Sequence, residues 1–387
     1  MKPLPRSFLL IFFLSFCASA QDNAINFQHF NDNNSFIQSP ISSLIQSKKG
    51  FIWLGTMNGL MRFDGYEFIK YSRSKNVEGS ISNNHINTVF EDSRENLWIG
   101  TENGVNFFNR NTNSFVPIDI RVIKGGRNYI SSFIEDPSSN IWVGTFGGLK
   151  LLDQENQLLL DLPETANTES LNNSRILSLF LDSDNKLWVG TAGGLKIFNP
   201  ITKKLEVLPK VIQSNSSLLS AKVWKVAKDS DGNLWFGTET KGVFKFNKKD
   251  NSIKQFQHQS NDESSLASNW INDILQVDEN TLWFATNDGL SILKKGSEKF
   301  TNHIHNPINT SSISDNAIKT LMKDSNGSVW AGTVAGGINF FNSANSNFRN
   351  IGETVQPNFG LNNSVVNAIC QNSDGSLWLG TNGGGLQ

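Results

Sequence analysis

Residues 97–108 read LWIGTENGVNFF: a short apolar run holding a W-x-G-T box, a two-residue turn, a glycine, and a second apolar run. The phrase returns around Trp53 (WLGT), Trp98 (WIGT), Trp142 (WVGT), Trp188 (WVGT), Trp235 (WFGT), Trp283 (WFAT), Trp330 (WAGT) and Trp378 (WLGT), at spacings of 45, 44, 46, 47, 48, 47 and 48 residues. Three or four residues past each threonine a glycine recurs, followed in several copies by an aliphatic residue, as in Gly59-Leu60, Gly104-Val105, Gly194-Leu195 and Gly289-Leu290. Self-similarity at this period is the mark of a repeat architecture.

Within one period the apolar runs are short and separated by turn chemistry, which is the pattern of strands. Ile86–Asp92, Leu97–Thr101, Val105–Phe108 and Phe115–Ile118 make a four-stranded meander. Such a sheet is apolar on both faces, and stacking the sheets radially about an axis buries both while leaving only short edges. The expected fold is therefore all-β, a β-propeller of four-stranded antiparallel blades. In that geometry the eight box tryptophans are structural, filling the space between blades, and the box glycine permits close backbone approach. Acids six residues before the tryptophan (Asp92, Asp136, Asp182, Asp229, Asp324) close a turn. Ser47, Val277 and Asn372 at the same place speak against a catalytic duty.

Ile25–Phe30 (INFQHF) resembles a fourth strand without three predecessors, and an orphan outer strand implies ring closure on the last blade. Trp53 to Trp330 counts seven boxes, and Phe348–Ile351 falls where a second orphan strand opens another ring. The expected organisation is a signal peptide over 1–20, a first propeller over 21–342, and a truncated start of a second over 343–387. The chain stops at Gly385-Leu386-Gln387, before the aromatic position occupied by Phe63, Phe108, Phe198, Phe246 and Phe341, which reads as a fragment. The alternative is a single eight-bladed ring.

The first twenty residues carry Lys2 and Arg6, the apolar run Phe8–Ala18, and a small-residue Ala18-Ser19-Ala20 site, the pattern of a secretory leader. Its removal takes one of the two cysteines and leaves Cys370 alone, so no intramolecular disulfide is expected. With 34 Lys and Arg against 35 Asp and Glu and no basic run, nothing points to nucleic acid. The five histidines form no metal-binding pattern, and there is no phosphate loop or nucleophile elbow, so no cofactor, metal or catalytic residue is expected.

The W-x-G-T-x-x-G-L boxes and lead-ins such as Asp229-Ser-Asp-Gly-Asn-Leu-Trp235 resemble the two-component regulator propeller repeat. That resemblance implies two periplasmic seven-bladed propellers in a hybrid sensor, followed by a β-sandwich, one membrane helix, a histidine kinase and a receiver, in a parent that can be a homodimer. It also implies a ligand, usually an oligosaccharide, and control of glycan-utilisation genes. The kinase lies outside this chain, and any membrane attachment would come from the part beyond it. The competing functions are a secreted carbohydrate-active propeller enzyme and a protein-interaction propeller. Sialidase boxes differ in the placement of their glycine, and quinone-dehydrogenase signatures are not recognisable.

Aligning the copies by tryptophan separates scaffold from variable positions. Twelve residues before it the chain is always aliphatic, whereas thirteen before it reads Pro40, His85, Tyr129, Arg175, Lys222, Trp270, Ala317 and Val365. These positions should ring one mouth of the central channel, beside the loops of Asn58, Asn103, Phe146 and Asn287. Trp224 and Trp270 are the tryptophans outside the repeat register. The candidate ligand site is thus His85, Tyr129, Arg175, Lys222, Trp224 and Trp270, with aromatic faces to stack on a sugar and polar groups for its hydroxyls. A partly buried Arg175 or Lys222 would favour an acidic glycan.

Overall fold

The computed structural model describes residues 25–30, 39–120, 128–153, 158–162, 171, 174–342, 361, 363 and 365–386. They belong to two compact units, Asn26–Asn345 and a smaller one that includes Ser346–Gln387. The leader region and Phe348–Ile351 lie outside the described residues.

The larger unit holds seven sheets. Blade 2 shows the plan: Ile86–Glu91 innermost, then Leu97–Thr101, Gly104–Asn109 and Ser114–Pro117, in antiparallel order. Thr101 pairs with Gly104 across the tight turn, where Gly104 sits at φ 113°, a conformation that suits glycine. Blade 3 departs from the expected four strands. Asp119–Ile120 adds a fifth, parallel to Leu158–Asp161, and is too short to announce itself as a strand in the sequence. Two helical turns, Lys210–Gln213 and Ser216–Leu219, lead into blade 5, the second capped by Asn215, whose side chain accepts from the Leu218 N–H.

Each blade packs its box tryptophan into the next. Trp188 lies among Val223, Val226, Leu234, Phe236, Phe244 and Phe246 of blade 5, and Trp235 among Ile271, Ile274, Leu282 and Phe284 of blade 6. The seven ring tryptophans are 0–5% exposed. The core is therefore a series of interblade clusters, the quasi-one-dimensional logic of a repeat protein bent into a circle.

The circle closes after blade 7. Gln28–His29 pairs with Asn339–Phe340 and becomes the outer strand of the sheet built from Ile318–Lys323, Val329–Thr333 and Ile338–Phe341. Trp330 then packs with Ile41, Leu44 and Leu54 of blade 1, as each of the other six ring tryptophans does with its successor. Ser325 N–H donates to Gln46 Oε1 at 2.6 Å across this seam, and Ser230 N–H donates to Gln276 Oε1 at 3.1 Å across the seam between blades 5 and 6. The eight-bladed alternative is excluded by this closure. In the smaller unit, Val366–Gln371, Leu377–Thr381 and Gly385–Leu386 form a three-stranded sheet with the box register, and Trp378 is 48% exposed.

In six of the seven ring blades the box glycine stands where the next blade comes too near for a side chain, and blade 6 carries Ala285 instead. A Cβ at Gly237 would stand 2.8 Å from Ile271 Cγ2, and one at Gly332 would stand 2.7 Å from Ile41 Cγ2 across the closing seam. Gly237→Ala is expected to cost about 1–3 kcal/mol through overpacking. Urea unfolding of the variant measures it, and an unchanged midpoint would show that the contact gives way freely.

The acids before the tryptophan do more than turn the chain. Asp229 Oδ1 accepts from the Asp231 and Asn233 N–H groups, and its Oδ2 accepts from Trp235 Nε1 at 2.8 Å. Asp92, Asp136, Asp182 and Asp324 hold Trp98, Trp142, Trp188 and Trp330 in the same way, at 3.0, 2.9, 2.8 and 2.9 Å. Where Ser47 replaces the acid, its hydroxyl donates to the Phe51 carbonyl, and Trp53 Nε1 is left without a partner.

Asp182 adds an ion pair with Lys248 to this arrangement. Burial opposes its charge, but the Lys248 ammonium and the Trp188 indole N–H outweigh that and hold its carboxyl below the usual carboxylate range. A depressed folded-state pKa gives stability that is present above the ordinary value of 3.8 and is lost as pH falls through the lower folded value. Asp182→Asn is expected to flatten the acid limb of the stability profile below about pH 4. Denaturation midpoints at pH 7 and pH 3 check this, since the variant should lose less between them than the parent chain.

Candidate ligand site at the mouth of the central channel

The inner strands of adjacent blades pack side by side around the whole ring and line its axis. At one end of that channel the residue thirteen before each box tryptophan is tied to the residue after the box threonine. Glu102 N–H donates to the His85 carbonyl, Phe146 to Tyr129 and Ala192 to Arg175, each at 3.0 Å; Glu239 donates to Lys222 at 3.1 Å and Asn287 to Trp270 at 3.3 Å. Met57 with Pro40 and Val334 with Ala317 complete the set. The mouth therefore carries two side chains per blade on a fixed backbone bond.

A second structural constant lies just inside. In every blade the inner strand bulges after its aliphatic residue, skipping one position: Ser42, Asn87, Ser131, Leu177, Trp224, Asn272 and Lys319. A bulge residue is released from the ladder, which is how sheets re-aim a side chain.

On blades 2 to 4 the mouth is an aromatic arc flanked by charge. Tyr129 stacks on Phe146 with ring centroids 4.0 Å apart and planes at 17°, and the Arg175 guanidinium carbon lies 5.3 Å from the Phe146 centroid. His85 Nδ1 is 3.2 Å from Glu102 Oε2. Burial, helped by the Glu102 charge, pushes the Tyr129 hydroxyl above its ordinary pKa, so it stays a neutral donor. On blades 5 to 7 Lys222 pairs with Glu239 at 2.6 Å, while Trp270 has Lys319 Nζ 5.9 Å from its ring centroid. Asn272 Nδ2 donates to Asn287 Oδ1 at 2.8 Å and to the Ile318 carbonyl at 2.7 Å.

The six residues nominated from sequence all stand at or just inside this mouth, though not as one cluster. Tyr129 and Arg175 meet through Phe146; Trp270 belongs to a separate group on blade 6; Trp224 is a bulge residue one step inside, half-buried, with its Nε1 unpartnered. Trp270 is likewise half-buried with an unpartnered Nε1. Arg175 and Lys222 are exposed rather than partly buried, and Lys222 is neutralised by Glu239, so neither marks the site for acid in the way expected. Glu102, Glu239, Asn272 and Lys319 were not reached from sequence, where the bulge position was named only at Trp224 and the residue after the box threonine only at Phe146 and Asn287. The bulge two residues past the mouth position is the signal for Asn272 and Lys319, and the residue after the box threonine is the signal for Glu102 and Glu239. Among the described residues no group of three or more His, Cys, Asp or Glu is placed to hold a metal ion, and no helix is long and apolar enough to cross a membrane.

The class defined by this arrangement is a closed seven-bladed propeller whose variable residues are gathered at one axial mouth. Its repeats are two-component regulator propeller repeats, matched over residues 80–103, 124–147, 170–193, 217–240, 265–288, 312–335 and 360–383. Among solved structures the chain is similar to the extracellular domain of the hybrid two component system BT3049 of B. thetaiotaomicron, at 27% identity and a TM-score of 0.68, covering 94% of this chain and 48% of that one. The corresponding BT4673 domain, at 22% identity and a TM-score of 0.64 over 92% of this chain and 45% of its own, shares the fold. So does virginiamycin B lyase of Staphylococcus aureus, at 13% identity and a TM-score of 0.59, covering 82% and 99%. A 76-residue stretch is 34% identical to histidine kinase P4 of Formosa agariphila, covering 20% of this chain and 6% of that protein. The chain thus spans about half the length of the two-component domains and a small part of the kinase. These relatives support a sensor role outside the cytoplasm.

Proposed function

We propose that the chain is the exported, periplasmic ligand-sensing part of a hybrid two-component sensor histidine kinase, and that it recognises oligosaccharides at the channel mouth to control glycan-utilisation genes. The observation that carries the ligand class is the Tyr129–Phe146–Arg175 stack on one arc and the half-buried Trp270 on another arc of the same mouth. Flat aromatic faces suit the apolar face of a pyranose, and the neighbouring amides and charges suit its hydroxyls. The chain's own contribution is recognition, not turnover. Occupancy biases two arrangements of the parent sensor, a population shift transmitted to a membrane-anchored, homodimeric kinase.

Calorimetric titration of the purified chain with a panel of oligosaccharides tests the site. Trp270→Ala and Arg175→Ala are expected to weaken the binding oligosaccharide about tenfold or more, on the order of 1.4 kcal/mol, with little loss of stability. Both variants binding as tightly as the parent chain would place the ligand elsewhere, and product formation from the glycan panel would favour an enzyme.

A further inference from the structure

We propose that the mouth selects an acidic oligosaccharide, and that the Lys319 ammonium is the group that receives its carboxylate. This rests on the oligosaccharide reading above and names the subclass.

Lys319 differs from the other basic groups here. His85 faces Glu102, Lys222 is paired with Glu239, Lys225 reaches Asp273 Oδ1 at 2.7 Å, and Arg175 is exposed to solvent over the Phe146 ring. Lys319, half-buried on the bulge of blade 7, has no carboxylate within ion-pair distance among the described residues. Its surroundings are the Trp270 ring at 5.9 Å and Asn272 Oδ1 at 3.4 Å, a long contact for an ammonium with three protons to donate. Asn272 offers nothing more, since its amide nitrogen is committed to Asn287 and Ile318.

A cation removed from water without a counter-charge is costly, and such groups are ordinarily paired. Burial indeed pulls the Lys319 ammonium below the usual lysine range. The groups beside it specify the kind of anion. The half-buried Trp270 adjoins the cation, and the half-buried Trp224 stands at the corresponding bulge two blades earlier. A sugar ring bearing a carboxylate satisfies the stacking face and the charge together, whereas a small inorganic anion uses only the charge.

The test titrates the whole chain with tetramers of galacturonate, glucuronate and mannuronate, each beside its carboxyl-reduced counterpart, which keeps the sugar and removes the charge. At least one acidic tetramer should bind tenfold or more tightly than its reduced form, and the preference should shrink with added salt. Lys319→Met should erase the preference, Lys319→Arg should keep it, and Lys249→Met, at an exposed hairpin, should leave it intact. Thermal unfolding gives an independent readout: the acidic tetramer should raise the midpoint of the parent chain and not that of Lys319→Met, which should itself melt no lower. Equal binding of acidic and reduced forms, or a preference that survives Lys319→Met, overturns the inference. If only neutral oligomers bind, and Trp270→Ala abolishes it, the inference falls and the mouth stands. If no oligosaccharide of either set binds, both fall.

Discussion

Trp188→Ala is expected to destabilise the propeller by about 3–5 kcal/mol, the range for emptying a large aromatic from a packed core. Trp188 is 2% exposed and fills the space between blades 4 and 5, with Phe236 and Phe246 at 5.6 and 6.1 Å between centroids. Its loss opens a cavity and also deprives Asp182, which is buried, of the indole N–H at 2.8 Å. The two losses act at one place and should not be summed as independent. Chemical unfolding of the variant measures the effect. Trp270→Ala, half-buried at the mouth, is the contrast and should cost far less. A midpoint shift of similar size for both would contradict the division between scaffold and site.

The second large effect is expected at the closing strand. Phe27 is buried against Trp283 and Phe341, at 6.2 and 6.3 Å, while Phe30 stacks on Trp330 at 5.3 Å and 8° and touches Phe63 and Phe68 of blade 1. The two side chains share no aromatic partner, so the double substitution Phe27→Ala/Phe30→Ala should cost nearly the sum of its parts, about 5 kcal/mol with Phe30 counted as half-buried. That is comparable with the whole stability of many domains. The double variant should unfold well below the parent chain in urea, with loss of amide protection beginning at blade 7. An unchanged midpoint would mean that the seam is held without this strand.

Much of this fold was legible because the chain states it eight times. The box tryptophan and glycine recur in register, and the orphan run at Ile25–Phe30 pointed to closure, which the Gln28–His29 pairing with blade 7 realises. What escaped was chemistry with no periodic trace or with two duties at one position. The acid six residues before the tryptophan looked like a turn former, and its second oxygen, bound to the indole, has no sequence mark. The fifth strand of blade 3 is two residues long and pairs with a partner far along the chain. The mouth was half legible. Positions thirteen before the tryptophan stood out because packing does not dictate them, but Lys319 was hidden: a bulge is a property of the pairing, and only the pairing reveals that one residue per blade has left the ladder.

That released residue has a consequence for how such a chain changes over generations. Ser42, Asn87, Ser131, Leu177, Trp224, Asn272 and Lys319 occupy one geometric place in seven blades, yet none is held by strand pairing. A mutation there changes a side chain outside the ladder while leaving tryptophan and acid in place, and only at Ser42 and Ser131 does it also remove a hydroxyl that donates to the box glycine carbonyl of the same blade. Duplication or exchange of a blade carries its bulge residue along as a unit. The ring is in this sense a combination of seven dials on a fixed spindle, and a new ligand can be met by turning one dial without rebuilding the lock.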